Sequence, residues 1–180
     1  MNLLDHLRRD HCFFLDLLEK LDQTVTGSSN HYFAEGRGAQ VTPDLVIIIE
    51  KMLARMALHE RAEEGLLFPL LRRFSPDVET ILSVIEADHQ GLGRALASFQ
   101  REAGTAERPT AWMILGISRV TNMMRSHIAR EEADLFSAAA RRVPPEELER
   151  LGAEAAVLAG LHMEKGAHAG PEKGETRPTT

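Results

Sequence analysis

Apolar residues recur every three or four positions along most of this chain, and each long apolar stripe is interrupted by a histidine. The first run places Leu4, Leu7, His11, Phe14, Leu18, Leu21 and Val25 on one face, the spacing of an amphipathic helix. Gly27-Ser28-Ser29-Asn30 is expected to end it, leaving a polar loop to Thr42. Thr42-Pro43-Asp44 carries a helix-start signal. The second stripe follows as Leu45, Ile49, Met52, Met56, His59, Glu63, Leu66 and Leu70, to about Phe74, with a kink expected at Pro69. Ser75-Pro76-Asp77 opens a third run of Val78, Leu82, Ile85, His89, Leu92, Leu96 and Phe99, closed by Gly104. A fourth begins near Pro109-Thr110 and carries Met113, Ile117, Val120, Met124, His127, Glu131 and Leu135 to about Arg142.

Four long amphipathic segments with short or moderate connections predict an all-α fold, an up-down-up-down four-helix bundle over residues 1–142. Val143-Pro144-Pro145 breaks the fourth segment, and residues 144–165 read as a shorter fifth helix with Leu148, Leu151, Ala155, Leu158 and His162 in its stripe. That face must cover the bundle side or a second copy of the chain, a homodimer through the fifth helix. Residues 166–180 lack apolar periodicity and are expected to be a disordered tail.

The interruptions form a pattern of their own. His59-x-x-x-Glu63-Glu64-x-x-Leu67-Phe68 returns 68 residues later as His127-x-x-x-Glu131-Glu132-x-x-Leu135-Phe136. A second repeat, offset by 78, aligns Leu4, Leu7, Asp10, His11 and Phe14 with Leu82, Ile85, Asp88, His89 and Leu92. Histidine and glutamate four apart lie on one helix face, one turn apart. In an antiparallel bundle the four interruptions fall at one level, so four imidazoles and two carboxylates meet in the core. Such carboxylates cost several kcal/mol each without strong partners. A bound cation removes the difficulty.

The donor set narrows the metal. Six nitrogen and oxygen donors exceed what one tetrahedral zinc needs, and the only cysteine in the chain is Cys12. Two metals with two histidines each, bridged by two carboxylates and by a solvent-derived oxo or hydroxo group, use the set completely. Iron fits these donors, and manganese is its main competitor.

The net charge of -6 and the absence of a basic block argue against nucleic acid as a partner. No apolar run approaches a membrane span or a signal peptide, and a single cysteine needs no oxidising compartment. A cytoplasmic protein is expected.

The ordered set His, HxxxE, His, HxxxE over four helices, with Glu-Glu-x-x-Leu-Phe after both copies, resembles the hemerythrin-like family, the HHE cation-binding domain, over about residues 3–140. The resemblance implies a non-haem di-iron centre that binds dioxygen, nitric oxide or peroxide. By correspondence, His11, His59, His89 and His127 would be terminal ligands, with Glu63 and Glu131 bridging. The oxygen-carrying members have a further histidine one turn after the third ligand, where this chain has Gly93. The glycine leaves space beside the metals and favours access of small reactive molecules over reversible oxygen carriage. The closer likeness is to di-iron proteins implicated in repairing iron-sulfur centres, although their amino-terminal cysteine-bearing domain is missing here. An oxidoreductase of peroxide or nitric oxide chemistry, and a non-enzymatic iron or redox sensor working through a redox or regulatory protein partner, both remain open.

Other residues have plainer readings. Asp10, Asp88, Glu64 and Glu132 adjoin the ligands and could orient them, but a neighbouring helical residue points about 100° away. Solvated faces are therefore expected for all four. Cys12 reads as a small, partly buried apolar residue. Met52, Met56, Met123 and Met124 read as packing, His6, His162 and His168 as exposed, and His31 and Tyr32 as loop residues.

Overall fold

The apolar stripes become helices that close around one another. The computed structural model describes the backbone of residues 1–35, 38–105 and 111–167 and the side chains of residues 1–23, 45–102 and 115–158. Helix α1 is Leu3–Glu35, α2 is Gly38–Ala62, α3 is Phe68–Phe74, α4 is Glu79–Thr105, α5 is Ala111–Arg130, α6 is Phe136–Arg142 and α7 is Pro145–Ala167. Two five-residue π turns, Glu63–Leu67 and Glu131–Leu135, join α2 to α3 and α5 to α6. Helices α1, α2, α4 and α5 pack in a closed cycle, each against the next and α5 against α1. This is the helical bundle with a short extra helix that the periodicity predicts.

Asn2 and Asp5 cap α1 reciprocally. The Asp5 N–H donates to Asn2 Oδ1 and the Asn2 N–H to Asp5 Oδ2, both at 3.0 Å. Two expectations about its far end fail. Residues 27–35 continue α1 and residues 38–42 already belong to α2, so the segment read as a polar loop is largely helical. One interior glycine costs only about 1 kcal/mol, which a nucleated helix absorbs. Both arms lengthen together, so His11 and His59 still meet. The side chains of His31, Tyr32 and His162 and all of His168 lie outside the described residues, as does the tail from residue 168.

The kink assigned to Pro69 is also different in kind. The backbone widens into a π turn before the proline, closed by the Phe68 N–H to the Glu63 carbonyl, and Pro69 sits in the first turn of α3. The second π turn is closed identically, Phe136 N–H to the Glu131 carbonyl, with Ser137 in place of proline. Proline therefore does not cause the widening. In the first turn of α3 the proline's missing N–H is tolerated, and in the second copy the Ser137 hydroxyl donates to the Glu132 carbonyl at 3.1 Å. Single π turns within α-helices gather at functional sites.

The core is split in two. One apolar cluster contains Leu3, Leu7, Leu67, Phe68, Leu71, Leu82, Leu135 and Phe136, and the other contains Phe14, Leu18, Met52, Met56, Leu92, Leu96, Val120 and Met124. Between them along every helix lie the histidines and glutamates. Helix α7 covers the side of the first cluster, packing on α1 through Leu148, Leu151 and Ala155. Its contact is close enough that a Cβ at Gly152 would stand 2.6 Å from the Met1 carbonyl oxygen, so glycine is required there. No helix among the described residues is long and apolar enough to cross a membrane.

Candidate metal centre

The six expected donors arrive at one level. His11, His59, His89, His127, Glu63 and Glu131 are each no more than 4% exposed, both glutamates 0%. His59 and His127 lie one turn before the π turns, so each shares an inward face with the first glutamate of its turn. His11 and His89 come from α1 and α4 across the bundle.

Glu131 is the hub of this layer. Its carboxylate oxygens lie 2.9 Å from His11 Nε2, 2.9 Å from His127 Nε2, 3.4 Å from His89 Nε2 and 3.6 Å from His59 Nε2. Glu63 is reached by His89 Nε2 at 3.2 Å and His59 Nε2 at 3.6 Å. Two triads could each hold a metal ion, His11 with His59 and Glu131, and His89 with His127 and Glu131. They share Glu131.

A second ring surrounds the first. His11 Nδ1 donates to Glu132 Oε1 at 2.9 Å and His89 Nδ1 to Glu64 Oε1 at 2.8 Å. Asp10 Oδ2 stands 3.5 Å from His59 Nδ1, and Asp88 Oδ2 3.7 Å from His127 Nδ1. Each carboxylate belongs to the preceding helix in the cycle: α1 serves α2, the first π turn serves α4, α4 serves α5, and the second π turn serves α1. At His11 and His89 the hydrogen bond holds the Nδ1 proton outward and leaves Nε2 facing the centre, while Asp10 and Asp88 stand within ion-pair distance of the outward Nδ1 of His59 and His127. Arg55 grips Asp10 and Arg130 grips Asp88, while Arg8 donates to Glu132 at 3.1 Å.

All four carboxylates face an imidazole, which the expectation of solvated faces leaves out, although Glu64 does keep an exposed side chain. Asp10 is only 7% exposed. The 100° offset that argued against them aims each at the next helix, where a histidine waits. A signal was present in the sequence, because Asp-His and Glu-Glu recur in both repeats; without the helix order, no partner could be assigned. Cys12 corrects the reading in the other direction, since its side chain is exposed. Met52, Met56 and Met124 are buried among apolar side chains and Met123 packs against them.

The electrostatics describe a layer stabilised by its own protons. Burial opposes a charge on His59, but Glu63, Asp10 and Glu131 outweigh it and raise its pKa to about 10. His89 behaves alike: burial opposes, Glu131 and Glu63 prevail, and the pKa rises to about 11. Glu131 is buried too, yet the four imidazoles hold it well below the usual carboxylate range. Glu63 goes the opposite way, raised by burial and by the charge of Glu131 against the pull of His59. Both Glu63 oxygens, both His59 nitrogens and His127 Nδ1 are buried without a hydrogen-bond partner. The inward-facing orphans, His59 Nε2 and both Glu63 oxygens, together with the imidazoles that reach the layer from the other three helices, fit a cation that replaces the protons.

Aromatic rings close the layer on both sides. Phe136 stacks on His11 at 5.1 Å, Phe68 on His89 at 6.4 Å, and Phe14 meets His59 edge-on at 5.6 Å. A Cβ at Gly93 would meet nothing within 4 Å, so there is room for a larger side chain at that position.

The family model of the hemerythrin HHE cation binding domain matches residues 2–139. Searches of the curated proteins and of the solved structures returned no match.

Proposed function

The chain belongs to the hemerythrin HHE cation-binding domain family, and from that premise we infer that its polar layer holds two iron ions. The pair binds or reacts with dioxygen, nitric oxide or peroxide in a cytoplasmic protein of oxidative and nitrosative stress defence or sensing. The observation that supports this reading is the pair of buried triads sharing Glu131. Two positions joined by one carboxylate suit a coupled pair of ions better than one structural ion. Each position would be held by two imidazoles, His11 with His59 and His89 with His127, and Glu63, within reach of His59 and His89, would offer a second carboxylate.

Bound iron would supply a redox centre and a Lewis acid. The chain's own groups do the rest. Glu132 and Glu64 hold the His11 and His89 rings by hydrogen bonds, Asp10 and Asp88 face His59 and His127, and Phe14, Leu67, Leu92 and Leu135, each nearly or wholly buried, exclude bulk water and larger solutes. Manganese fits the same donors and is the competing ion.

Metal content and the visible spectrum of protein purified without added metal test the reading. About two irons per chain with near-ultraviolet absorption are expected, followed by spectral change with nitric oxide or peroxide. A single zinc, or no metal after iron reconstitution, defeats it. Alanine at His59 or Glu131 should lower the iron content, and full occupancy in both variants would sink the ligand assignment.

A sensor is the second reading, and one contact favours it. Helix α7 packs on α1, on α2 and on the first π turn, so a change in the ligand layer has a short path to a surface helix. A protein partner that distinguishes metal-loaded from metal-free chain would select the sensor. Steady turnover of peroxide or nitric oxide would select the oxidoreductase.

A further inference from the structure

The internal repeat lets two corners of the ligand layer be compared position by position, with offsets of 68 and 78 residues. Histidines and carboxylates coincide; their surroundings do not. At the His11 corner, Arg8 donates to Glu132 and lies 5.7 Å over the Phe136 ring, which in turn stacks on His11. Leu15 follows one turn after His11, and Ile128 is buried at 7% exposure. At the His89 corner the counterparts are Glu86 for Arg8, Gly93 for Leu15, Glu60 for Ile128 and Gly65 for Ala133.

Each replacement opens that corner. Among the described residues no arginine pairs with Glu64, whose side chain is 48% exposed against 36% for Glu132. A recess of about 450 Å³ lies beside it, lined by Ala57, Glu60, Arg61, Glu64 and Gly65. A Cβ at Gly65 or Gly93 would meet nothing within 4 Å. Glu60 Oε1 is buried without a hydrogen-bond partner. From Glu64 the contacts continue inward, 2.8 Å to His89 and 3.2 Å from His89 to Glu63.

Three surface recesses near the layer are each lined by an arginine, Arg61 in the one beside Glu64, and they differ in whether that arginine holds the adjoining carboxylate. Arg55 lines the one of about 30 Å³ beside Asp10, and Arg130 lines the one of about 280 Å³ beside Asp88. Both guanidiniums already occupy the carboxylate an entering cation would use, whereas among the described residues Arg61 forms no ion pair with Glu60 or Glu64. The geometry points to the recess on α2 and the first π turn at Glu60 and Glu64, where Glu64 meets His89 of α4, as the portal by which divalent cations reach the ligand layer. Glu60 and Glu64 draw the ion from the recess and pass it to His89 and Glu63. This inference rests on the metal-binding reading above.

The test is the rate of Co²⁺ uptake by metal-free full-length protein, followed by visible absorption, with final stoichiometry measured separately. Gly93→Leu and Glu60→Ile give the open corner the residues of the closed one. Each should slow uptake by about tenfold or more, the scale on which charge-lined clefts change association rates, at unchanged final stoichiometry. Glu60→Gln removes the charge with little change of shape and should slow uptake in the same direction. Leu15→Gly, at the equivalent place on α1, should leave the rate unaltered because Arg8 still seals that corner. Parental rates in Gly93→Leu and both Glu60 variants, or faster uptake in Leu15→Gly alone, would overturn the portal. Failure of the parent protein to bind any Co²⁺ would defeat the metal reading instead.

Discussion

Glu63 and Glu131 begin identical π turns, follow histidine at the same spacing and are equally buried, yet they live in opposite electrostatic worlds. Glu131 is within ion-pair distance of four imidazoles and is held ionised; Glu63 touches two, keeps both oxygens without hydrogen bonds and is pushed toward its protonated form. In a metal-free layer one carboxylate collects the positive charge and leaves little for the other. Two like charges at close quarters cannot both remain ionised at low cost. Equivalent sequence therefore sets equivalent position, while the charge state depends on all six groups together.

The largest expected break in this comparison comes from removing the hub. Glu131→Ala belongs to both triads, so it should abolish binding of both ions. It should also destabilise the metal-free protein by about 3–5 kcal/mol, the scale for stranding buried charge. Glu63→Gln, a mimic of the protonated carboxyl, should leave metal-free stability nearly unchanged while weakening metal binding. Denaturation midpoints and metal titrations of the two variants check this. Equal stability losses would show that the two glutamates are electrostatically alike.

A pH series sharpens the same contrast. His59 and His89 have pKa values raised to about 10 and about 11. Their stabilising charge is fully present below the ordinary histidine value of about 6.5 and is lost as pH rises through those raised values. Metal-free protein should accordingly lose stability in denaturant titrations from neutral toward about pH 10. Cation affinity should rise over the same window, since Nε2 must shed its proton to bind. A metal-free stability that climbs with pH would contradict the ion-pair network.

Smaller effects should come from the outer ring. Glu132→Gln and Asp10→Asn, each at an arginine-anchored position, should lower metal affinity by about 10- to 100-fold, read by competition with a chelator. Glu64→Gln should fall at the lower end of that range, because Glu64 is half exposed and unanchored among the described residues. The smallest change is Ser137→Ala, which removes one hydroxyl bond in the second π turn. It should cost about 1 kcal/mol, and the proline-bearing first turn offers no matching bond to lose.

Much of this was legible in the chain. The stripe Leu4, Leu7, His11, Phe14 and its three relatives announced helices, and four helices with polar interruptions at matched depth announced a shared layer. The end of α1 and the start of α2 extend past the sequence signals at Gly27 and Thr42-Pro43, because those signals are local and helix continuation outweighs them. Asp10, Asp88, Glu64 and Glu132 do not reveal their imidazole partners in the sequence, because a single helix gives direction but no neighbour.

The sequence by itself determined what lies on each face of each helix, since 3.6-residue periodicity is local chemistry repeated along a strand of known pitch. It thereby brought six donors inward and presented the family pattern that the match over residues 2–139 shows. Tertiary structure alone decided the cyclic order of the helices, and with it which carboxylate orients which imidazole. It also decided that Glu131 rather than Glu63 holds the charge, and that one corner lies open where its counterpart is sealed. Those are properties of distances between groups far apart in the chain, and Coulomb energy and burial depend on distance in space, whatever the separation in sequence.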